Sequence, residues 1–519
     1  MENPVIIEEQ QPENIIEEGK AKIILDKNNI FYNPVQEFNR DLSIAIISQY
    51  NKELEQGKKY DSDLTILEAL SATGLRSIRY AKEIPGISKI IANDISMKAV
   101  DTIKKNVIYN DVENIVIPNQ DDATMVMYKR RKEKFDVIDL DPYGSPTIFL
   151  DAAVQSLKDN GLLMVTATDM AVLAGSSPET CYVKYGAVSM KFKACHEMAL
   201  RILLQNIASH AARYGRVITP LLSISADFYI RVFVKIRTSL AACKQNTSNL
   251  GFVYQCTGCE CFSIQPLGCM NSKNMHKFPR VPVVDKVCVF CKHNHRMGGP
   301  IWIGSLHDKV FINNIISNIE NEEYKNLQKL NTIKRIQGIL HVVKEELEVP
   351  LYYQVNRLMS IIKCHVPPMV LFRSALLNAG YKVSYSHACK TSVKTDAPNQ
   401  VIWDIVRAWE KLNPVKREKF DVCSAGLAIL NSEIITNISF KKHPDAIPFS
   451  IQKHLMRFQM NPSSHWGPGT KSTAMIKNEH ILKKKMNQNK KKRKNDIINE
   501  KLNAEKKRNI LEEGVSVEN

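Results

Sequence analysis

The sequence predicts an α/β protein whose N-terminal half is built around a mostly parallel β-sheet. Short apolar runs alternate with helical segments from residue 64 to residue 169, which is the pattern of repeated βαβ units. Carboxylates follow several of these runs, and ligands bind at the carboxyl edge of such sheets. The stretch DLDPYGSP (139–146) is the clearest example, because it places acidic, rigid and aromatic residues directly after an apolar run.

The individual elements follow from the same alternation. The apolar runs predict five strands, at residues 64–70, 88–94, 114–120, 135–141 and 161–169. Helical patterns connect them, and a longer amphipathic helix is predicted over residues 188–213. Two further strand-like runs, 217–227 and 229–238, follow with almost no linker between them. Their closeness predicts an antiparallel hairpin that closes one edge of the sheet.

Composition and charge indicate a polyanionic partner. The 519 residues carry a net charge of +17, which favours nucleic acid over a membrane surface. The sequence contains no apolar run long enough for a transmembrane helix, so we expect no membrane partner. The acidic start has no basic n-region, so we expect neither a secretory signal nor a typical transit peptide. We predict no obligate protein partner.

Shifts in composition divide the chain into five segments. Residues 1–20 are predicted to be a disordered acidic N-terminus, and residues 21–240 to be the α/β domain. Residues 241–300 form a cysteine-rich insert, and residues 301–470 a C-terminal α+β domain. Residues 471–519 are predicted to be a disordered Lys-rich tail. The tail suits a nuclear-import signal, a non-specific RNA arm or a merely solvated segment. We therefore expect a nuclear protein, with the cytoplasm or mitochondrion as alternatives.

The ends of the first three strands suggest a site for an adenosine-type cofactor. Gly74 closes a small-residue turn before a helix, which lets a ligand approach the helix N-terminus. Asp94 ends the next strand, where a carboxylate accepts hydrogen bonds from ribose hydroxyls, although an Asp there also suits a helix cap. Asp121 and Asp122 follow the third strand. A carboxylate there can accept from an adenine amine, and a paired-Asp turn with a cap is an equal interpretation.

The end of the fourth strand suggests a pocket for a flat base. Asp141 is followed by Pro142, which fixes the local backbone, and by Tyr143, which can stack on a ring. The amine of a base must be oriented and must lose a proton when it acts as a nucleophile, and a carboxylate serves both needs. A general turn is the simpler interpretation of DPYG. Its position after a buried strand favours function.

The cysteine-rich insert indicates a structural metal site. The pairs Cys256–Cys259 and Cys288–Cys291 are two CxxC knuckles, which together suit a tetrahedral zinc ion. The gap between them is longer than the usual ribbon spacing. Substitute ligands are present nearby, namely Cys261, Cys269, His293 and His295. Four thiolates leave no open position on the metal, so a catalytic role is not expected.

Several strings, in this order, resemble the tRNA guanosine N2-dimethyltransferases that act on guanosine 26. They are EFNRDLS (37–43), EALSATGLRSIRYA (68–81), ANDIS (92–96), QDDAT (120–124), DLDPYGSP (139–146), VTATDMAVLAG (165–175), CYVKYGAV (181–188) and GYKVSYSHACKTSVKTDAP (380–398). The resemblance covers roughly residues 21 to 467. It implies a class I (Rossmann-like) methyltransferase domain that uses S-adenosyl-L-methionine, with a C-terminal domain that helps to hold tRNA.

The resemblance also implies roles for particular residues. The cofactor contacts would be Arg40, Arg76, Asp94, Asp122 and Ala123. Asp94 would take the ribose, and Asp122 with Ala123 the adenine. The two arginines would face the methionine carboxylate or hold the loops around it. The guanine pocket would comprise Asp141, Pro142 and Tyr143, with Asp141 bonding the N2 amine. The zinc prediction rests on the cysteine spacing more than on this resemblance.

Two other functions remain open from the sequence. One is an amino-methyltransferase that acts on another RNA base, which DPY alone would allow. The other is a non-catalytic RNA-binding protein with a degenerate methyltransferase domain, which would predict the loss of Asp94 or Asp141. Both carboxylates are present.

Overall fold

A seven-stranded β-sheet forms the centre of the N-terminal half of the chain. The structure is a computed structural model that describes residues 15–24, 32–57, 64–272, 275–321, 327 and 329–458. Its strands up to residue 240 are β1 (Ile15–Glu18), β2 (Ala21–Ile24), β3 (Leu64–Glu68), β4 (Ile87–Asp94), β5 (Val116–Gln120), β6 (Phe135–Leu140), β7 (Leu157–Ala167), β8 (Arg216–Ala226) and β9 (Tyr229–Thr238). The sheet order is β5-β4-β3-β6-β7-β9-β8. Strands β3 to β7 are parallel, and β9 and β8 are antiparallel, which confirms the predicted hairpin at one edge.

Helices cover both faces of this sheet. They are α1 (Glu37–Gly57), α2 (Leu75–Glu83), α3 (Met97–Tyr109), α4 (Ala123–Lys129), α5 (Thr147–Ser156), α6 (Met170–Leu173), α7 (Pro178–Tyr185), α8 (Cys195–Ala212) and α9 (Leu240–Gln245). Successive residues of the central strands point to opposite faces. Leu67 and Ile138 therefore join a core with α5 and α8, whereas Ile66 and Val137 join a core with α1 and α2.

The helix predicted over residues 188–213 begins later than expected. Residue Val188 pairs instead with Gly299 through two backbone hydrogen bonds of 2.9 and 2.8 Å. This bridge holds the start of the segment in an extended conformation, so α8 begins only at Cys195. A contact between residues more than 100 positions apart overrides the local helical pattern.

The N-terminal strands correct the prediction that residues 1–20 are disordered. Strands β1 and β2 form a hairpin in the described residues, and residues 1–14 lie outside them. The carboxylate of Glu18 is buried and pairs with Arg40 and with Arg79, at 2.5 and 2.7 Å. Gly19 turns the chain with a φ of 57°, and a Cβ there would lie 2.3 Å from Glu83 Oε1. Composition could not show that one acidic residue contacts two buried guanidiniums, of which Arg79 also pairs with Asp41 and Glu83.

Two helices beyond residue 300 pack on the N-terminal sheet. They are α10 (Lys309–Glu320) and α11 (Ile333–Glu345). Phe311 and Ile336 share the core of α1 and α2, and the Arg335 guanidinium lies 3.9 Å from the centre of the Phe38 ring. The expected boundary at residue 300 therefore does not coincide with a boundary in the packing.

The cysteine-rich segment and the remaining chain form two smaller sheets with helices. The first sheet contains β10 (Leu250–Cys256), β11 (Phe262–Pro266) and β14 (His295–Trp302), and beside it lie β12 (Cys269–Met270) and β13 (His276–Lys277). The second contains β15 (Tyr353–Gln354), β16 (Val383–Ser386) and β17 (Cys389–Thr395). The helices are α12 (Val355–Ile361), α13 (Met369–Asn378), α14 (Asn399–Leu412), α15 (Ala425–Leu430) and α16 (Phe449–Gln452). The buried cysteines and Trp403 of α14 belong to one apolar core.

No helix in the described parts of the chain is long and apolar enough to cross a membrane. The predicted Lys-rich tail, residues 471–519, lies outside the described residues.

Replacement of Glu18 by Gln should destabilise the protein. The substitution removes the carboxylate that pairs with the buried Arg40, whereas Arg79 keeps Asp41 and Glu83. Breaking a buried ion pair in this way costs about 3–5 kcal/mol. We expect a lower midpoint in urea unfolding, followed by circular dichroism. The neighbouring Glu17 is exposed, so E17Q is the matched control, with an expected change of about 0.5 kcal/mol or less. Equal midpoints for E18Q and E17Q would contradict the assigned role of Glu18.

Candidate active site

The carboxyl ends of β3, β4, β5, β6 and β7 meet at one edge of the central sheet. Strands β3 and β6 are neighbours, but the chain leaves β3 towards β4 and leaves β6 towards β7. This reversal of direction opens a crevice between the two connections, which is where α/β sheets bind ligands. The predicted residues Asp94, Asp122 and Asp141 all lie at or just beyond these strand ends.

The turn between β3 and α2 is held by the end of β4. Asp94 Oδ2 accepts a hydrogen bond of 3.0 Å from Ala72 N–H, and its Oδ1 accepts one of 2.9 Å from Ser96 N–H. Gly74 has a φ of 78°, and a Cβ there would lie 3.2 Å from the Ile103 side chain. Asp94 therefore orders two loops at once, and each of its oxygens keeps a second lone pair for a ligand.

The loop after β5 lies beside Asp94. Asp121 N–H donates to Asp94 O over 3.3 Å, so the two strand ends adjoin. Asp122 caps α4 by accepting hydrogen bonds from Thr124 N–H and Met125 N–H, at 2.8 and 3.1 Å, and Ala123 is buried in its first turn. The cap is the simpler of the two interpretations considered for this pair of acidic residues. The adenine contact stays a prediction.

Asp141 lies at the end of β6 and is held from one side. Its Oδ2 accepts hydrogen bonds from the Arg76 guanidinium and, at 3.5 Å, from Asn39 Nδ2. Among the residues that the structure describes, no hydrogen bond reaches Asp141 Oδ1. The side chain is 23% exposed, so this oxygen is available to a donor that enters the crevice.

Arg76 is the centre of a buried ionic network. Besides Asp141, it contacts Asp139 at 3.4 Å and Glu68 at 3.7 Å. Arg231 of β9 approaches Asp139 from the other side, at 2.9 Å. Burial raises the pKa of Asp139, but the Arg231 and Arg76 guanidiniums hold it below its usual value. Asp139 therefore stays ionised and fixes both arginines.

Glu68 is the least compensated carboxyl group of this network. Burial raises its pKa to about 7, and the Arg76 charge and the hydrogen bond from Ser77 offset this only in part. Ser77 N–H donates to Glu68 Oε2 over 3.1 Å. Glu68 therefore exchanges a proton near neutral pH, next to fixed charges.

Pro142 and Tyr143 form the loop after Asp141. Pro142 is buried, whereas Tyr143 is 70% exposed at the mouth of the crevice. The loop is tied to the end of β7, because Gly144 N–H donates to Thr168 Oγ1 and Thr168 N–H donates to Gly144 O, at 2.7 and 3.0 Å. The tie places an aromatic ring at the rim beside the free oxygen of Asp141.

The matches to known proteins agree with this geometry. Residues 12–407 match the family model described as "TRM: N2,N2-dimethylguanosine tRNA methyltransferase". The chain belongs to this family. The family resemblance of the sequence is thus confirmed, and so is the prediction that the protein is an enzyme of the methyltransferase class.

Relatives named tRNA (guanine(26)-N(2))-dimethyltransferase cover nearly the whole chain. One from Drosophila melanogaster is 48% identical, over 95% of this chain and 92% of the relative. One from Homo sapiens is 44% identical, over 88% of this chain and 77% of the relative. A solved structure of Trm1 from Pyrococcus horikoshii with S-adenosyl-L-methionine is 31% identical and superposes with a TM-score of 0.65, covering 76% of this chain and 99% of that chain. These matches confirm the class I methyltransferase fold.

Among the predicted cofactor residues, Arg40 differs because its side chain contacts the N-terminal hairpin and the loop before α1. Its guanidinium pairs with Glu18 and donates to Asn33 O over 3.2 Å, and it lies over the Tyr32 ring. In this position it holds the N-terminal hairpin on α1. A direct contact with the cofactor stays a prediction.

Sequence reasoning missed four residues of this methyltransferase site, namely Asn39, Glu68, Asp139 and Arg231. Arg231 had a detectable signal, because a charged residue interrupts the apolar pattern of a buried strand. Asn39 had none beyond its place in EFNRDLS. Its Oδ1 atom is buried and has no hydrogen-bond partner among the described residues. It lies beside Asp141, where it suits an ammonium or hydroxyl donor of a ligand.

The four predicted zinc ligands come together in the structure. The Sγ atoms of Cys256, Cys259, Cys288 and Cys291 lie within 4.8 Å of one another. Of the alternatives, Cys261 lies at the margin of the cluster, with its Sγ 3.3 Å from that of Cys259. Cys269 instead faces Lys277 O, His293 Nδ1 faces Cys291 O, and His295 Nδ1 has no partner in the described residues.

A second buried cluster joins the C-terminal domain to α8. Lys394 Nζ contacts Glu197 and Glu346, each at 3.0 Å, and Glu346 Oε2 accepts a hydrogen bond of 2.8 Å from His387 Nδ1. His307 packs against the His387 ring. Backbone N–H groups occupy the remaining His387 nitrogen and one His307 nitrogen, so only one imidazole atom is available for a metal. We therefore interpret this cluster as structural.

The Glu68 carboxyl should make the stability of the protein depend on pH. Its pKa is about 7 in the folded state and about 4.3 in the unfolded chain. The folded state therefore binds more protons between these values, and Glu68 loses its stabilising contribution as the pH rises through this window. We expect E68Q to gain stability relative to the wild type from pH 4.5 to pH 7.5, by up to about 1.4 kcal/mol per pH unit.

The measurement is urea unfolding of both proteins at several pH values, without added ligand. Subtracting the wild-type stability from the E68Q stability at each pH cancels the contributions of the titrating groups that both proteins share. A difference in stability that stays flat across this pH range would contradict the raised pKa of Glu68.

Proposed function

We propose that this enzyme transfers two methyl groups from S-adenosyl-L-methionine to the N2 amine of guanosine 26 in tRNA. The free Oδ1 of Asp141, beside an exposed Tyr143 at the crevice of a methyltransferase fold, is the observation that carries this proposal. The names of the Drosophila and human relatives support the substrate. The Pyrococcus structure supports the cofactor.

The residues at the crevice suit the cofactor. Asp94 offers two carboxylate oxygens at the end of β4, where ribose hydroxyls bind in such folds. The buried Asn39 Oδ1 has no hydrogen-bond donor in the described residues and can accept one from the ligand. The network contains three carboxyl groups and two arginines, and this charge balance favours a positively charged ligand. We assign Asp122 and Ala123 to the adenine, and Arg76 with Arg40 to the methionine end. When bound, the cofactor supplies an electrophilic methyl group on a sulfonium.

Asp141 orients the nucleophile and accepts its proton. Arg76 fixes Oδ2, so Oδ1 is left to accept a hydrogen bond from the N2 amine. The lone pair of that amine is delocalised into the base, and orientation with removal of a proton makes it reactive. Tyr143 stacks on the guanine and Pro142 fixes the loop. After the first transfer, the remaining N–H must point at the same oxygen for the second.

Replacement of Asp141 by Asn tests this role. D141N keeps the size of the side chain but cannot accept the proton, so we expect the turnover number to fall at least about 100-fold. Affinity for S-adenosyl-L-methionine, measured by calorimetry, should stay within about threefold. Activity is measured as dimethylguanosine formed in unmodified tRNA transcripts, mapped by mass spectrometry.

Asp101 is the control, since its carboxylate is exposed on α3 and, in the described parts of the chain, pairs with Lys104 alone. D101N should behave as the wild type. Wild-type turnover in D141N would refute the role of Asp141. A methylated adenine, or a guanine methylated at another position, would replace the substrate, and no product despite cofactor and tRNA binding would favour the non-catalytic alternative.

We also propose a structural zinc ion at the cysteine cluster. The Cys256–Cys291 and Cys259–Cys288 sulfur separations are 3.2 and 3.6 Å, close to the roughly 3.8 Å of a tetrahedral site with Zn–S bonds of about 2.3 Å. Gly258 N–H and Cys259 N–H both point at Cys256 Sγ, over 3.3 and 3.4 Å. Such donors favour a thiolate. The ion would fix the β10 and β14 ends against α12.

Elemental analysis of the purified protein should find about one zinc per chain. C256S should lower this content and the thermal stability, because metal binding to such a site contributes to folding. Cys269 lies outside the cluster, so C269S should keep both values. The C261S variant tests whether Cys261 binds the zinc ion. If C261S loses zinc and C256S does not, Cys261 replaces Cys256 as the ligand. A zinc-free wild type with the same stability would remove the metal.

The proposed partner is tRNA, bound by basic side chains through its phosphates and read mainly by the C-terminal domain. We propose the nucleus as compartment, on the Lys-rich stretch 483–494. A relative from Saccharomyces cerevisiae, 38% identical, is named as mitochondrial.

A further inference from the structure

Helix α7 presents large apolar side chains to solvent beside the crevice. Tyr182 is 61% exposed and Val183 is 83% exposed, whereas Cys181 and Tyr185 on the opposite side of the helix are buried. Ile148, in the first turn of α5, is 72% exposed and directly follows the Asp141 loop. We call Tyr182, Val183 and Ile148 the rim surface. Large exposed apolar side chains on segments that border a site are candidates for a binding surface.

The rim surface is anchored to the same strand end as the guanine pocket. Tyr185 O–H donates to Asp169 Oδ1 over 2.6 Å, and Lys184 Nζ lies 3.2 Å from Asp169 Oδ2. Asp169 follows Thr168, which holds Gly144 through two hydrogen bonds. The last turn of α7 is thus fixed relative to the Tyr143 loop, and Tyr182 lies one turn before its end.

A base inside a tRNA must leave its stack before its N2 amine reaches Asp141. The bases on either side then lose a stacking partner, and proteins commonly replace it with an aromatic side chain. The proposed function assigns Tyr143 to stacking on the target base. Tyr182 is an exposed tyrosine on α7, whose last turn is fixed to the Tyr143 loop through Asp169 and Thr168, and in a chain of net charge +17 it suits a neighbouring nucleotide.

We propose that Tyr182, supported by Val183, stacks on a nucleobase adjacent to the target guanosine. This inference rests on the proposed function and adds a second RNA contact to the same site. It assigns Tyr182 to substrate binding and not to the transfer step. Loss of one stacked base weakens binding by about 5- to 150-fold.

The test uses the full chain and an unmodified tRNA transcript that carries 2-aminopurine next to the target guanosine. Fluorescence titration gives the dissociation constant, and the change in 2-aminopurine emission reports stacking. The variants are Y182A, Y182F and the control Y109A. Tyr109 is also an exposed tyrosine, at 43%, but it ends α3 at the opposite edge of the sheet.

We expect Y182A to raise the dissociation constant for tRNA at least about fivefold and to lose the emission change. Y182F keeps the ring, so it should bind within about threefold of the wild type, as should Y109A. The salt dependence of tRNA binding should be the same in Y182A, because no phosphate contact is removed. Affinity for S-adenosyl-L-methionine and the melting temperature should not change.

Equal tRNA affinity and emission in Y182A and wild type would overturn the inference. A concentration-dependent dimer of the wild type that Y182A abolishes would also overturn it, and would assign the rim surface to a second copy of the chain. A wild type that binds tRNA but makes no dimethylguanosine refutes the proposed function instead. Failure of the function is therefore distinguishable from failure of the stacking contact.

Discussion

The buried ion pairs around Arg76 are the interaction on which the active site depends. Three carboxylates, from Glu68, Asp139 and Asp141, lie at the carboxyl ends of two neighbouring strands. Each would cost several kcal/mol to bury ionised and alone. Arg76 from α2 and Arg231 from β9 make this burial tolerable, and both donate to Ser43 Oγ of α1, at 3.3 and 3.0 Å. Five elements, namely β3, β6, α1, α2 and β9, thus have to meet before Asp141 acquires its position.

Buried ion pairs also join distant parts of the chain at two other places. Glu18 ties the N-terminal hairpin to α1 and α2, and Lys394 ties β17 to α8 and to the end of α11. Apolar packing tolerates small shifts, whereas a buried carboxylate between two cations has few acceptable arrangements. The ionic contacts therefore fix how the C-terminal elements sit on the sheet. This matters for the proposed function, which places the target base and the reading of tRNA on different segments of the chain.

The parts that the sequence predicted are those with local signals. Strands β3 to β7 follow from apolar runs between helical segments, and the two CxxC knuckles follow from cysteine spacing. Asp141 was found because a carboxylate, a proline and an aromatic residue directly follow a buried strand.

The partners of these residues were not predictable in this way. Glu18 looked like part of a solvated acidic stretch, and its burial depends on arginines that are 22 and 61 positions away. The late start of α8 depends on a bridge to Gly299. Contacts between residues so far apart along the chain produce no periodic pattern in a single sequence.

The charge balance of the site links Glu68 to ligand binding. With all three carboxyls ionised, two guanidiniums leave one negative charge uncompensated in a buried position. Glu68 relieves this excess by taking up a proton near neutral pH, since its pKa is about 7. A positive charge brought into the crevice stabilises the ionised form instead, so binding of a cationic group and release of the Glu68 proton favour each other. Asp141 gains from this arrangement, because Glu68 adjusts its protonation while Arg76 and Asp139 stay fixed. Arg76 holds Asp141 Oδ2, whereas Asp141 Oδ1 has no hydrogen-bond partner in the described residues.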